Sequence, residues 1–559
     1  MKEKKDMSYE EVFSERSIIR ALVKLRLKVA QKRRHKLFLY GIAQNGVHPA
    51  EGVNDPVCAM MPPRRAWKRP YEKSRKGCVG DDVLRKTLMR TIDGVYFKGT
   101  MEREVWGREL MKTVREIRAL ALDPSGYVMG RPEIREVRKG RSAASGMRHI
   151  CVYPLYDQVI ASLLAGYLRG RMEPVMPSCV YGMRKDATYD HHEAVRRVVT
   201  LRKECAGDLL FVAECDVRSF FDVLHHDVVR AARDACFREL EQSDHPGIDQ
   251  RASVILDRML DSFSFSRDVL RDGKSLPWSG ECDSDVGQIG IPQGSPLSGV
   301  LVHMVMLEVD RVMDSINRMG GCYIRYVDDM VVMHQNQTVC REYFEQYLIS
   351  MRALKLPVHK PVAGLGDAEM YAAKSKDVYA WSVNDVKRLI FLGYDIDCLG
   401  RIRVRKQSLK KETVHIRELS KKIQYEIVNG QKAGKNVGTI GNVLRIRQHL
   451  NMRIVGRRNL MCQGNIEHQP CWADGFLLLK DENMEPLCNA LRTLDRIAAR
   501  ERKNILTLLL PDGALRKEDM NFHRYDGAPF SYYGALHDSS RRAVRCRFAK
   551  GDRGFEGYR

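Results

Sequence analysis

The sequence predicts an α+β fold organised around an antiparallel sheet, on three observations. Leu209–Cys215 (LLFVAEC) is a compact apolar run rich in strand formers that ends at Asp216, the pattern of a buried strand with a charge at its tip. The stretch CYIRYVDDMVVM reads as two short strands around a tight turn, with Asp328 and Asp329 at the turn itself. Between them, Ser295-Pro296 precedes Leu297, Val300, Leu301, Met304, Val305, Leu307 and Val309, so a serine cap and a proline in the first turn announce a helix.

The remaining elements follow in chain order. Ser8 and Glu11 form a capping-box pattern, and Ile18, Ile19, Leu22, Val23, Leu25, Leu27 and Val29 among many basic residues predict a basic amphipathic helix over Ser8–Arg33. From Arg34 to about Gly80, Pro49, Pro56, Pro62, Pro63 and Pro70 predict an irregular extension lying on the rest of the chain. Helical patterning resumes near Asp81 and runs through Leu120. Glu239–Val286 is polar and predicts a helical connection followed by a surface loop or hairpin. Beyond Arg401 the chain is helical and basic until a Gly- and Arg-rich tail from Tyr525.

The chain of 559 residues is long enough for two or three folded units. Lys and Arg number 94 against 71 Asp and Glu, a formal charge of +23, concentrated before residue 75 and after Arg401. Such a surface attracts polyanions, nucleic acid first, because each neutralised phosphate releases counterions. No apolar run approaches the ~20 residues that span a bilayer, and MKEKKDMSYEE lacks the apolar core of a secretory signal. The expectation is a cytoplasmic protein with no membrane partner. The 15 Cys are scattered without a Cys-x-x-Cys pair, which argues for reduced thiols. Cys462, His468 and Cys471 suit no familiar zinc spacing, and His191, His192, His225 and His226 are read as structural or surface residues.

Carboxylates on adjoining strand ends of one sheet can hold two divalent ions about 3.5–4 Å apart, the arrangement that phosphoryl transfer to a 3′-hydroxyl requires. An Asp-Asp pair in a turn is common for local reasons alone, but YVDD flanked by apolar strands is far more specific.

Across most of Arg148 to Tyr394 these residues resemble the reverse transcriptase family, in the family's own motif order. AECDVRSFFDVLHHD is similar to its first metal-binding motif, QIGIPQGSPLSGVL to the motif that touches incoming nucleotide and template, and YVDD to its signature. LPVHKP and FLGYDI resemble the two motifs that follow, and RHICVYPLYDQVI and VYGMRKDATYDHHEAV the upstream fingers-to-palm motifs. The resemblance implies a right-hand polymerase with fingers, an RRM-like palm and a helical thumb. The implied segments are 1–80 basic N-terminal extension, 81–208 fingers and first part of palm, 209–400 palm, 401–475 thumb and 476–559 C-terminal extension.

It also implies roles for single residues. Asp216, Asp328 and Asp329 would be catalytic and, with Val217, would hold two Mg2+ ions, with Mn2+ able to substitute in vitro. Lys139, Arg141, Arg148, Phe221, Gln293, Gly294 and Lys360 would meet the nucleotide, with Phe221 excluding a ribose 2′-hydroxyl. Arg184, Ser295, Pro296, Tyr326, Phe391, Leu392, Gly393 and Tyr394 would meet template or primer. Two positions depart from the family: Gln158 stands where a basic residue is usual, and Lys185-Asp186-Ala187 replaces the Pro-Gly-Arg after YGxR.

The implied activity is RNA-directed DNA polymerisation from deoxynucleoside triphosphates, with an RNA template and DNA product as partners. No zinc-bearing endonuclease pattern follows the thumb, and QGSPLS differs from the diversity-generating variant, so the expected context is bacterial anti-phage defence. A non-coding RNA, an operon-encoded protein and self-association are the partners that context implies. The alternatives are a maturase that chiefly binds RNA, and a template-independent or protein-primed polymerase, since the 22 tyrosines leave the primer open.

Overall fold

The computed structural model describes residues 7–43, 55–68, 80–139, 146–205, 208–270, 287–364, 371, 373–455, 472–480, 485–510 and 530. The chain divides into two compact units. The first comprises Met1–Leu22, Leu110–Leu392 and Asp397–Gly400, and the second Val23–Glu109, Gly393–Ile396 and Arg401–Arg559.

In the first unit a hairpin of β1 (Glu133–Arg138) and β2 (Met147–Val152) pairs Val137 with Arg148. The main sheet is built from β3 (Val180–Tyr181), β4 (Phe211–Asp216), β5 (Cys322–Tyr326), β6 (Asp329–His334) and β7 (Lys376–Ala380), in the order β3-β5-β6-β4-β7. All neighbours are antiparallel except β3 and β5. Met330–Met333 of β6 are buried without alternation, so both sheet faces are covered. The helix Pro296–Arg318 packs on β5, and the helix Gln337–Ala353 packs on β4 and β6. The first of these begins as the sequence predicts, with Ser295 Oγ accepting from the Leu297 N–H. The polar loop expected before Val286 falls largely outside the described residues, preceded by the helix Gln250–Ser262.

The N-terminal helix differs from its expected span. The capping box of Ser8 and Glu11 is formed, with hydrogen bonds of 3.2 and 2.7 Å, but it starts only the single turn Tyr9–Val12. A second helix then runs Glu15–Ala43, ten residues beyond Arg33. It continues because Phe38 and Ile42, one turn apart, extend the apolar stripe beyond Arg33.

Phe38 and Ile42 belong to the core of the second unit. They pack with Leu419, Ile423 and Ile427 of the helix Lys406–Lys432, Val443 and Ile446 of the helix Ile440–Val455, and Ile505 and Leu509 of the helix Glu485–Leu509. Asn442 Nδ2 donates to the Ile42 and Val437 carbonyls at 3.0 and 2.9 Å, fixing the first segment to the last. The Cys462–Cys471 segment lies outside the described residues. No described helix is long and apolar enough to cross a membrane.

Candidate active site

Strand β4 carries the chain into the site and fixes its tip by backbone bonds. The Asp216 N–H donates to Ser375 Oγ at 3.0 Å, and the Asp216 carbonyl accepts from the His359 N–H at 3.0 Å. Val217 bridges Val358, and the Arg218 N–H reaches the Pro357 carbonyl at 2.8 Å. The LPVHKP segment is thereby zipped along the residues that follow Asp216, with exposed Lys360 just beyond.

The hairpin of β5 and β6 supplies the other two carboxylates. Tyr326 pairs with Asp329, leaving Val327-Asp328 as a two-residue turn, and Val327 takes φ 60°. Asp329 is also the register partner of Asp216 across β4 and β6. Directly opposite residues of an antiparallel pair have Cα atoms about 4.5–5.5 Å apart and share a face. Asp216 and the Asp328-Asp329 pair, more than a hundred residues apart in sequence, therefore stand together at one strand-end edge of the sheet.

Their electrostatics are unbalanced. Burial pushes the half-buried Asp328 carboxyl above the usual carboxylate range; Asp216 adds to this, while Arg148 and Lys374 oppose it. Lys374 Nζ lies 3.3 Å from Asp216 Oδ2, with His359 Nε2 at 3.8 Å. Burial, then Lys374, lowers the His359 pKa. Among the described residues, no group of three or more His, Cys, Asp or Glu is drawn close enough to hold a metal ion. The strand register brings Asp216 and Asp329 together at the backbone, beside the Asp328 turn. The donor set suits a divalent ion: hard carboxylate oxygens, two of them electrostatically coupled.

Beside this edge lies a second cluster. Phe220 is buried while Phe221 is half-exposed, and their rings meet edge to face at 6.0 Å. The Phe221 carbonyl accepts from the Ile291 N–H at 2.8 Å, which ties this turn to the Gln293 segment. Gln293 Nε2 donates to Asp222 Oδ1 at 3.1 Å, and the Gln293 carbonyl accepts from the Cys151 N–H at 2.7 Å. Gly294 has φ 106°, and a Cβ there would meet the Cys151 carbonyl at 3.0 Å, so only glycine lets the segment approach β2. Asp222 is buried; burial raises its pKa, and Lys139, His149 and Arg148 oppose the rise. Arg148 and Lys139 are exposed on this side, whereas Arg141 lies outside the described residues.

Residues 137–361 match the family described as reverse transcriptase (RNA-dependent DNA polymerase). The chain carries a reverse transcriptase domain. Domains of this kind are those of RNA-directed DNA polymerases, a class of nucleotidyltransferase. No curated protein matches the sequence. Among solved structures, it is similar to telomerase from Candida albicans in complex with a TWJ fragment of telomeric RNA, at 11% identity and TM-score 0.40, over 87% of this chain and 73% of that one. It is also similar to apo telomerase from Candida tropicalis, at 10% identity and TM-score 0.37, over 76% and 70% of the two chains.

Other expected contacts of the reverse transcriptase domain are placed less openly. Arg184 is turned inward: it pairs with Glu173 at 2.7 Å, donates to the Pro177 and Val180 carbonyls, and lies 3.7 Å over the Tyr189 ring. Ser295 is buried as a helix cap, and Pro296 beside it is exposed. Gly182 (φ 76°) brings its backbone against Tyr326, where a Cβ would stand 2.8 Å from the ring. Phe391 ends β8 (Arg388–Phe391), and Leu392 and Gly393 turn with φ 47° and 87°. Tyr394 opens β9 (Tyr394–Asp397), which pairs with β10 (Ile402–Val404). Tyr394 is fully buried, with its ring edge-on to Phe476 at 5.6 Å and its hydroxyl 3.5 Å from the Leu478 N–H.

Sequence reasoning missed Lys374, His359, Ser375 and Asp222. His359 adjoins Lys360 in LPVHKP, and Asp222 follows Phe221, so their motifs held a signal. Lys374 and Ser375 lie some 160 residues from Asp216 in a polar stretch with none.

Proposed function

We propose that the protein extends a primer with deoxynucleotides at Asp216, Asp328 and Asp329, copying RNA. The observation that carries this is the register pairing of Asp216 with Asp329 beside the Asp328 turn. Asp216 and Asp328, with the Val217 carbonyl, would hold two divalent ions, Mg2+ in the cell and Mn2+ as a substitute. When bound, such ions lower the 3′-hydroxyl pKa and neutralise the triphosphate. Arg148 acts on both Asp328 and Asp222, and Lys139 on Asp222; the two would grip the triphosphate, for which the planar arginine fork is suited. Lys360 would meet the pyrophosphate. Phe221 closes the sugar side, held by its bond to Ile291, and Gln293 is oriented by Asp222 toward the base or ribose.

The helix Lys406–Lys432 and its neighbours would act as thumb. Arg417, Arg496 and Arg500 line a cleft of about 390 Å³ in the second unit, suited to phosphodiester oxygens. Defence against phage with an associated non-coding RNA, in a bacterial cytoplasm and with an operon-encoded partner or self-association, is the context this reading favours.

Primer extension on an RNA template with Mg2+ tests the activity. The wild type should incorporate deoxynucleotides and Asp328→Ala should not; incorporation by neither overturns the reading. The cationic cleft favours one second reading, a maturase. In that case, splicing assistance would survive Asp328→Ala.

A further inference from the structure

Arg325 stands three residues before Asp328 and is 1% exposed. Its guanidinium makes two kinds of contact at once. Nε and Nη2 donate to Asp310 Oδ1 and Oδ2 at 2.8 and 2.5 Å, and Nη1 donates to the Val327 carbonyl at 3.0 Å. Around it, Tyr323 Oη donates to Asp310 at 3.0 Å, His303 Nδ1 lies 3.3 Å from Nη2, and His303 Nε2 faces the Gly182 carbonyl at 3.1 Å. The strand itself is pinned where the Arg325 N–H meets the Cys179 carbonyl at 3.0 Å.

Val327 is the unusual member of this group. Two-residue hairpin turns need positive φ at the first loop position, where glycine or asparagine is at home, and Val327 sits there at φ 60°. A β-branched residue resists that region, so the turn must be held by its surroundings. The bond that holds its carbonyl comes from Arg325. Asp310 in turn anchors Arg325 to the helix Pro296–Arg318, whose first turn follows Gln293, Gly294 and Ser295. A buried ion pair is by itself a weak source of stability, since desolvation offsets the attraction.

We propose that Arg325 is a positioning residue of the polymerase: it clamps the Val327 carbonyl, and so fixes the turn that presents Asp328, to the helix that follows the nucleotide-contacting segment. This rests on the polymerase reading above. Without the clamp the turn relaxes toward negative φ at Val327 and Asp328 moves from its station beside Asp216. Nucleotide contacts made by Arg148, Phe221 and Gln293 are untouched, so the loss belongs to kcat.

The test replaces both charges, as Arg325→Met with Asp310→Leu, because an apolar pair of similar volume tends to preserve folding. The folded double variant should lose about 10- to 100-fold in kcat, the scale of an ångström-sized misplacement, with the deoxynucleotide KM little changed. Adding Val327→Gly, which takes positive φ freely, should restore part of the lost kcat. Arg325→Lys keeps a charge against Asp310 without the planar fork and serves if the double variant fails to fold; it too should lose kcat and regain some with Val327→Gly. Wild-type kcat in either folded variant, a loss confined to KM, or no response to Val327→Gly would overturn the clamp. A wild type that incorporates nothing would instead remove the polymerase reading itself.

Discussion

Glu214 and Asp216 stand two residues apart on β4, on the same face, and meet opposite fates. Glu214 is buried and saturated: Lys376 Nζ donates to one oxygen at 2.7 Å and Tyr379 Oη to the other at 2.7 Å. Asp216 is nearer solvent, with an exposed lysine at 3.3 Å and two further acidic residues beside it. Asp310 repeats the first pattern, with Arg325 and Tyr323 as its own donors. The lesson is that this sheet pairs Glu214 and Asp310 with buried donors of its own, whereas the lysine paired with Asp216 is exposed. A carboxylate held by buried partners serves the fold; one facing an exposed lysine remains accessible to a bound cation.

The contrast can be broken most severely at the open edge. Asp216→Asn and Asp328→Asn should each lower deoxynucleotide incorporation by about 10³-fold or more, while the melting temperature holds or rises because a repulsion is removed. A folded variant with substantial activity would end the assignment. At the closed site the effects reverse. Glu214→Ala leaves the Lys376 ammonium buried without its partner and should cost about 3–5 kcal/mol of stability, read by chemical denaturation. A variant as stable as wild type would show that the partner was dispensable.

Smaller effects sharpen the same division. Phe220 and Phe221 are to the aromatic groups what Glu214 and Asp216 are to the acidic ones, one buried in the core and one half-exposed. Phe221→Ala should therefore raise ribonucleotide relative to deoxynucleotide incorporation by about tenfold, the order of one lost side-chain contact. Unchanged sugar discrimination in competition assays would remove Phe221 from the gate. The mildest test is pH. Asp328 is raised in the folded protein, so between the ordinary carboxylate pKa and that raised value the folded state binds more protons than the unfolded one. Stability of the metal-free protein should then fall as pH rises through that window, and Asp328→Asn should flatten the fall. A rise with pH, assigned to Asp328 by its absence in the variant, would reverse the sign.

Local chemistry made much of this visible in the sequence. The apolar runs before Asp216 and around Asp328, and the Ser295-Pro296 cap, depend on neighbours in the chain, and the strands and helix are where they were expected. The register that pairs Asp216 with Asp329 depends on contacts across more than a hundred residues; the sequence put the carboxylates at strand ends but could not set which residues pair. Arg184 shows the limit from the other side. An arginine after YGM reads the same whether it faces solvent or, as here, pairs with Glu173 and stacks on Tyr189. The helix through Phe38 and Ile42 was legible only to Arg33, because its last turns are stabilised by residues after Arg401 that share their core. Lys374 carries no local signal at all, since its meaning comes from the carboxylate it happens to face.

The central claim is the proposal that Asp216 and Asp328 take divalent cations. Calorimetric titration of the metal-free protein with Mn2+, beside Asp216→Asn and Asp328→Asn, measures this directly. Saturable binding in the wild type that is lost in both variants is the expected result. Equal binding by all three proteins would contradict it.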